Sequence, residues 1–126
     1  MQKISVLHPP DVTIFDEDTL NELSRDLGPE VAENILCRAL EDIAARFIQI
    51  REQYVAGDYP GLRKSVRAVM PIAAQVGLPS LSRVGQDVLN SIDKVDPVAL
   101  AATLCRFLRS GETAISCAEM GMDLSL

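Results

Sequence analysis

Few residues of this sequence have side chains suited to catalysis, and they are far apart. His8 is the only histidine among the 126 residues, and it precedes Pro9-Pro10. A Cys–His nucleophile would require His8 to meet one of the three cysteines, Cys37, Cys105 and Cys117. Cys37 and Cys105 fall within predicted helices, where cysteines are usually inert core thiols. We therefore expect no nucleophilic site and no enzymatic activity.

Metal binding and acid–base catalysis have no better support in the sequence. One histidine and three scattered cysteines, without a C-x-x-C pair, do not form a zinc-binding pattern. The carboxylates of Asp16-Glu17-Asp18 suit a helix N-terminus, and Glu41-Asp42 suits a solvated helix face. A pair of catalytic carboxylates would also need a cleft, which a small helical bundle rarely has. No metal or cofactor is predicted.

A basic cluster is the most informative feature. Arg63, Lys64 and Arg67 stand close together in a chain whose formal net charge is −6. That net charge disfavours nucleic acid as a partner, because neutralising phosphates needs a surplus of Lys and Arg. At helical spacing the same face continues through apolar or small residues, at Met70, Pro71 and Ala74.

An exposed face of this kind has two interpretations. Cations beside a flat apolar patch are typical of a surface that docks another protein. The alternative is that a long helix simply tolerates a few exposed apolar residues.

The composition indicates a soluble helical domain. Hydrophobic residues make up 48% of the chain, but only 4% are aromatic and none is Trp, which favours helices over a β-sandwich. No apolar run approaches the roughly 20 residues of a membrane span. The N-terminal residues also lack the pattern of a signal peptide. We expect a cytoplasmic protein that does not bind membranes.

Five helices are predicted from caps, breakers and apolar periodicity. The first begins after Asp16 and ends at Gly28, the second runs from about Pro29 to Ala56, and the third from Pro60 to about Val76. The fourth starts near Pro79 or Ser80, and Asp96-Pro97 begins the fifth. Apolar spacings of three and four predict these buried stripes, in helix order: Leu20, Leu23, Leu27; Leu36, Leu40, Ile43, Phe47, Ile50, Tyr54; Leu62, Val66, Val69, Ala73, Val76; Leu81, Val84, Val88, Ile92, Val95; Ala101, Leu104, Leu108, Ile115.

Short connections favour antiparallel neighbours, so the predicted fold is all-α. It is an up-and-down four-helix bundle with an additional short N-terminal helix. We place a loose lead-in at residues 1–14, the bundle at 15–116 and a C-terminal tail at 117–126. Two helical hairpins that join in a dimer are an alternative. Pro71 should kink the third helix and free the carbonyl of Arg67, unless the helix merely bends around the core there.

The stretch from Leu62 to Leu89 resembles the histidine-containing phosphotransfer domain of bacterial phosphorelays. That family's signature is roughly His-x-Leu-Lys-Gly-Ser-Ala-x-x-Leu-Gly, and here residues 67–77 read Arg-Ala-Val-Met-Pro-Ile-Ala-Ala-Gln-Val-Gly. The apolar positions, Gly77 and the following Pro79-Ser80-Leu81 fit, and the likeness covers roughly residues 12–116. The resemblance implies a four-helix bundle with an added N-terminal helix.

The functional residues of that family are replaced. Arg67 stands at the phosphohistidine position, Met70 at the lysine position and Pro71 at the glycine position. A guanidinium stays protonated and offers only donors, so Arg67 cannot carry the phosphoryl group. The resemblance therefore implies a degenerate member that binds a response-regulator receiver domain or a histidine kinase without passing phosphate.

On this interpretation the partner-binding residues are Arg63, Lys64, Arg67, Met70, Pro71 and Ala74, and the protein is a monomer or a weak dimer. A structural helical interaction or dimerisation module unrelated to signalling is the main alternative. An active phosphotransfer protein is the other, and its phosphohistidine would have to be His8.

Overall fold

The computed structural model describes the backbone of residues 15–125 and the side chains of residues 15–118. All regular secondary structure in this part of the chain is α-helical. The five helices are α1 (Glu17–Leu27), α2 (Pro29–Ala56), α3 (Tyr59–Gln75), α4 (Pro79–Asp93) and α5 (Pro97–Ser125). The predicted lead-in at residues 1–14 lies outside the described residues.

The helices begin within a residue of the positions that the sequence predicts. Asp16, Asp58 and Asp96 each accept a hydrogen bond from a backbone N–H two or three residues further on, at 3.1, 3.0 and 3.0 Å. These bonds satisfy N–H groups that have no partner inside the helix. Gly57 ends α2 in the left-handed conformation (φ 73°), which glycine adopts without a steric penalty.

The core lies between α2, α3, α4 and α5. Each of these helices packs against the next along the chain, and α5 also contacts α2. The rings of Phe47 and Phe107 meet at its centre, with their centroids 5.4 Å apart and their planes tilted by 47°. The largest fully buried side chains are those of Phe47, Phe107, Ile43, Ile50, Leu62, Leu81, Val66, Val69, Val76 and Val88. The predicted α3 stripe is confirmed, because all five of its residues are buried.

Three of the predicted core residues are wrong. Leu27 is 48% exposed at the end of α1, a helix that packs on α2 without fully burying any residue. Val95 is 83% exposed because it lies beyond the end of α4 with a positive φ of 53°, which takes it out of the helical stripe. Ala101 is exposed, and the buried stripe of α5 passes instead through Leu100, Leu104 and Phe107.

Helix α5 extends beyond residue 116, where the sequence analysis placed the start of a tail. It continues to Ser125, and its buried stripe reaches Ala114 and Ala118. These two alanines are four residues apart and so lie on one face of the helix.

Helix α3 continues through Pro71, which is exposed in its C-terminal half. On the neighbouring helix, the hydroxyl of Ser82 donates a hydrogen bond to the carbonyl oxygen of Met70 at 3.1 Å. This bond ties α4 to α3 at the turn where proline replaces a backbone donor. None of the helices in the described part of the chain is both long and apolar enough to cross a membrane.

Candidate functional site

The six residues singled out from the sequence lie along one side of α3, and we call this side the α3 face. Lys64, Arg67, Pro71 and Ala74 are exposed, whereas Arg63 and Met70 are half-buried. Their positions follow from helix geometry, because the stripe from Leu62 to Ala73 occupies the opposite side and enters the core. The α3 face therefore combines two exposed cations with exposed apolar or small side chains.

Arg63 is held by an acidic side chain of α4. Its Nε donates to Oδ1 of Asp93 at 2.8 Å, and its Nη2 donates to Oδ2 at 3.1 Å. This two-pronged hydrogen bonding raises the pKa of Arg63 and lowers the pKa of Asp93, and the charge attraction between the two groups acts in the same direction. Both side chains remain more than a third exposed, so the pair orients Arg63 without burying it.

Arg67 and Lys64 have no ion-pair or hydrogen-bond partner for their side chains in the described part of the chain. Neither side chain forms an ion pair or a hydrogen bond with any residue whose side chain the structure describes. Four other arginines do have acidic partners, at Arg46, Arg51, Arg63 and Arg106. The guanidinium of Arg67 is thus exposed, with its donors available to another molecule.

A groove runs between α3 and α4 beside these cations. One depression of about 470 Å³ is lined by Arg63, Arg67, Met70, Pro71, Gln86 and Leu89. A second, of about 480 Å³, continues past Met70 and Gln86 to Ala74, Gly77 and Asp16. The α3–α4 groove is therefore open, mostly apolar and flanked by positive charge at its Arg67 end.

The absence of a side chain at Gly85 lets Met70 lie close to α4. A Cβ at Gly85 would stand 2.9 Å from Cγ of Met70 and 3.1 Å from Cε1 of Phe107, both closer than ordinary contacts. The side chain of Met70 thus packs against the core and also lines the groove. A flexible thioether in this position can adapt to the shape of a bound partner.

The α4 side of the groove was not identified from the sequence. Asp93, Gln86 and Ser82 are polar residues of an amphipathic helix, and nothing in their local spacing distinguishes them. Asp93 and Arg63 are 30 positions apart in the sequence, so only the packing of α3 on α4 brings the two side chains together.

The other candidate residues do not come together with the α3 face. His8 lies outside the described residues. Cys37 and Cys117 are half-buried, and Cys105 is exposed, which corrects its prediction as a core thiol. Cys105 faces outward because the buried stripe of α5 passes through its neighbour Leu104, and Arg109 donates to its Sγ at 3.2 Å. Among the described residues, no three or more His, Cys, Asp or Glu side chains are grouped as metal ligands would be.

Comparison of the chain with protein-family models, with curated proteins and with solved structures finds no match.

Proposed function

We propose that this protein is a pseudo-phosphotransfer domain, which binds a response-regulator receiver domain or a histidine kinase and carries no phosphate. The observation that supports this proposal is the exposed guanidinium of Arg67 on the α3 face, which has no acidic partner among the described residues. Arg67 occupies the position at which the resembling family carries its phosphorylated histidine.

The chemistry of arginine supports binding without phosphotransfer. A nucleophile must have a free electron pair, but the guanidinium remains protonated and presents only N–H donors. Those donors match the two oxygens of a carboxylate in a bidentate arrangement. In the family that this chain resembles, the histidine enters a receiver pocket with clustered carboxylates, and Arg67 would pair with them there.

The surroundings of Arg67 suit a protein partner. Met70, Pro71 and Ala74 offer an apolar strip beside the charge, and the groove next to it leads along α4. Interfaces of this kind combine apolar contact with a few charged anchors, of which arginine is among the most frequent. Because Arg63 is engaged by Asp93, Arg67 and Lys64 are the two cations of the α3 face that remain to contact an acidic partner.

The proposed architecture is an up-and-down four-helix bundle of α2 to α5, with α1 as the additional N-terminal helix. The packing of each helix on its successor, with α5 returning to α2, supports this arrangement. In the same proposal the protein is a cytoplasmic monomer or weak dimer that binds neither nucleic acid nor membranes.

Titration of purified receiver domains into the full-length protein tests the proposal. The charge reversal Arg67→Glu should weaken binding at least tenfold, about 1.4 kcal/mol, because it places a carboxylate against carboxylates. The matched control is Arg38→Glu, which makes the same reversal at an exposed arginine of α2 and should leave the affinity unchanged. Equal affinity of Arg67→Glu and the wild type would refute docking through the α3 face.

A structural dimerisation module is a second candidate, and a different surface favours it. Val55, Val95 and Val98 are 86%, 83% and 80% exposed, at the end of α2 and around the connection from α4 to α5. In the proposed bundle these connections lie at the same end, where three exposed valines could meet a second copy. This candidate predicts a concentration-dependent oligomer that Arg67→Glu does not affect, which sedimentation at several concentrations would detect.

A further inference from the structure

The two depressions between α3 and α4 lie side by side, because Met70 and Gln86 line both of them, and together they make up the α3–α4 groove. The groove runs from Arg63 and Arg67 along α3 to Ala74 and Gly77. Its walls are mostly apolar, and its open side is uncovered in the described part of the chain.

The described chain begins at one end of this groove. The backbone N–H of Asp16 donates to the carbonyl oxygen of Gly77 at 2.7 Å, which fixes the start of α1 to the end of α3. Asp16 and Thr19 form the wall of the groove at that end. Residues 1–14 therefore join the described structure beside Gly77, about 15 Å along α3 from Arg67 at 1.5 Å per residue.

We propose that residues 1–14 bind in the α3–α4 groove of their own chain and that Asp11 pairs with Arg67. Asp11 precedes the anchored Asp16 by five residues, which span up to about 17 Å when extended. That reach matches the distance from Gly77 to Arg67 along the helix. Asp11 is the only acidic residue of this segment, and Arg67 has no acidic partner among the described residues.

The rest of the segment suits an apolar groove. Val12 and Ile14 flank Thr13, so in an extended chain both side chains point to the same side. That side would face Met70 and Ala74, which line the middle of the groove. The apolar residues Ile4, Val6 and Leu7 extend the same character further along the chain.

One consequence concerns regulation, and it rests on the proposed function. A segment bound over Arg67 and Met70 competes with a receiver domain for the α3 face. Releasing the segment then raises the affinity for the receiver. Since an exposed ion pair contributes little free energy, the loss of the Asp11–Arg67 pair should raise that affinity by up to about fivefold.

Methyl NMR of the full-length protein, with ¹³C-labelled methionine methyl groups and no partner present, tests the binding of the segment. Asp11→Lys and Val12→Asp should each shift the Met70 resonance, which Met70→Leu identifies, because each weakens the contact over that side chain. Glu33→Lys is the control, since it makes the same charge change as Asp11→Lys at an exposed residue of α2. It should leave Met70 unshifted.

The proposal is overturned if the Met70 resonance is the same in the wild type, Asp11→Lys and Val12→Asp, or if Glu33→Lys shifts it equally. It is also overturned if the shift disappears when the protein is diluted, because a second copy of the chain would then be the occupant of the groove. A separate titration with a receiver domain measures the effect of Asp11→Lys on affinity. Because the NMR measurement contains no partner, its outcome is independent of whether any receiver binds.

Discussion

Gly111 is a buried position of α5 at which the packing of Phe47 makes a sharp prediction. A Cβ at Gly111 would overlap Cε2 and Cζ of the Phe47 ring. The ring cannot easily move away, because it is only 2% exposed and lies against Phe107. Gly111→Ala should therefore destabilise the protein, although alanine is the better helix former.

The two opposing effects have different sizes. Alanine in place of a helical glycine stabilises by about 0.5–1 kcal/mol, whereas overpacking a filled core costs typically about 1–3 kcal/mol. Because an aromatic ring must be displaced, we expect the upper part of that range and a net loss of about 1–2 kcal/mol. For a domain of this size the melting temperature should fall by roughly 4–8 °C.

Urea denaturation followed by circular dichroism measures the free energy of unfolding. Phe47→Leu removes the two ring atoms that the new methyl group would overlap, so in that background Gly111→Ala should be neutral or stabilising. The double-mutant cycle then gives a coupling of at least about 1 kcal/mol. Thr113→Ala, at an exposed position of α5, controls for helix propensity. A gain of 0.5–1 kcal/mol from Gly111→Ala in the wild-type background, as propensity alone predicts, would refute this account of the core.

Three further predictions concern the α3 face and its alternative. Pro71→Ala should raise the free energy of unfolding by about 1–3 kcal/mol, because it restores a backbone donor for the carbonyl of Arg67. A lower free energy of unfolding in urea denaturation would contradict this. The hydrogen bonds from Arg63 lower the pKa of Asp93 in the folded protein. The stabilisation of the folded state by this pair is therefore complete above the usual aspartate pKa of about 3.9, and it is lost as the pH falls through the lowered pKa of Asp93 in the folded protein. The difference in unfolding free energy between the wild type and Asp93→Asn should thus be constant from neutral pH to about pH 5 and shrink below about pH 4. Finally, Val98→Asp should leave the sedimentation coefficient of the protein unchanged. If the wild type is a dimer and Val98→Asp dissociates it, the structural dimerisation module is favoured instead.

The helices were predictable because their boundaries depend on local chemistry. Asp16, Asp58 and Asp96 cap helices through bonds to residues two or three positions away, which a sequence displays directly. The α3 stripe was equally clear, since its spacing of four and three is filled by large apolar residues and one alanine.

The stripe of α5 was misread because small residues occupy half of it. Its buried positions are Leu100, Leu104, Phe107, Gly111, Ala114 and Ala118. Gly111 and Ala114 contribute little to an apolar pattern, whereas the larger Leu108 and Ile115 beside them are only half-buried. Small residues are required there because Phe47 of α2 fills the space, and that contact between distant parts of the chain has no local signature.

The candidate site was predictable only on the side of α3. The periodicity of one helix shows which residues share a face, so the cations and the apolar strip could be grouped from the sequence. Asp93 and Gln86 come from α4, and their distance from α3 depends on how the helices pack. The pairing of Arg63 and the existence of the groove therefore required the structure.

The most direct test of binding without phosphate exchange uses one sample and two measurements. The protein is mixed with a phosphorylated receiver domain, the complex is quantified by titration, and the intact mass of the protein is measured without acid treatment, which would hydrolyse phosphohistidine. We predict a saturable complex in which the protein gains no phosphoryl mass. A protein that acquires a phosphoryl group, or one that forms no complex with any receiver or kinase domain, would contradict the central claim.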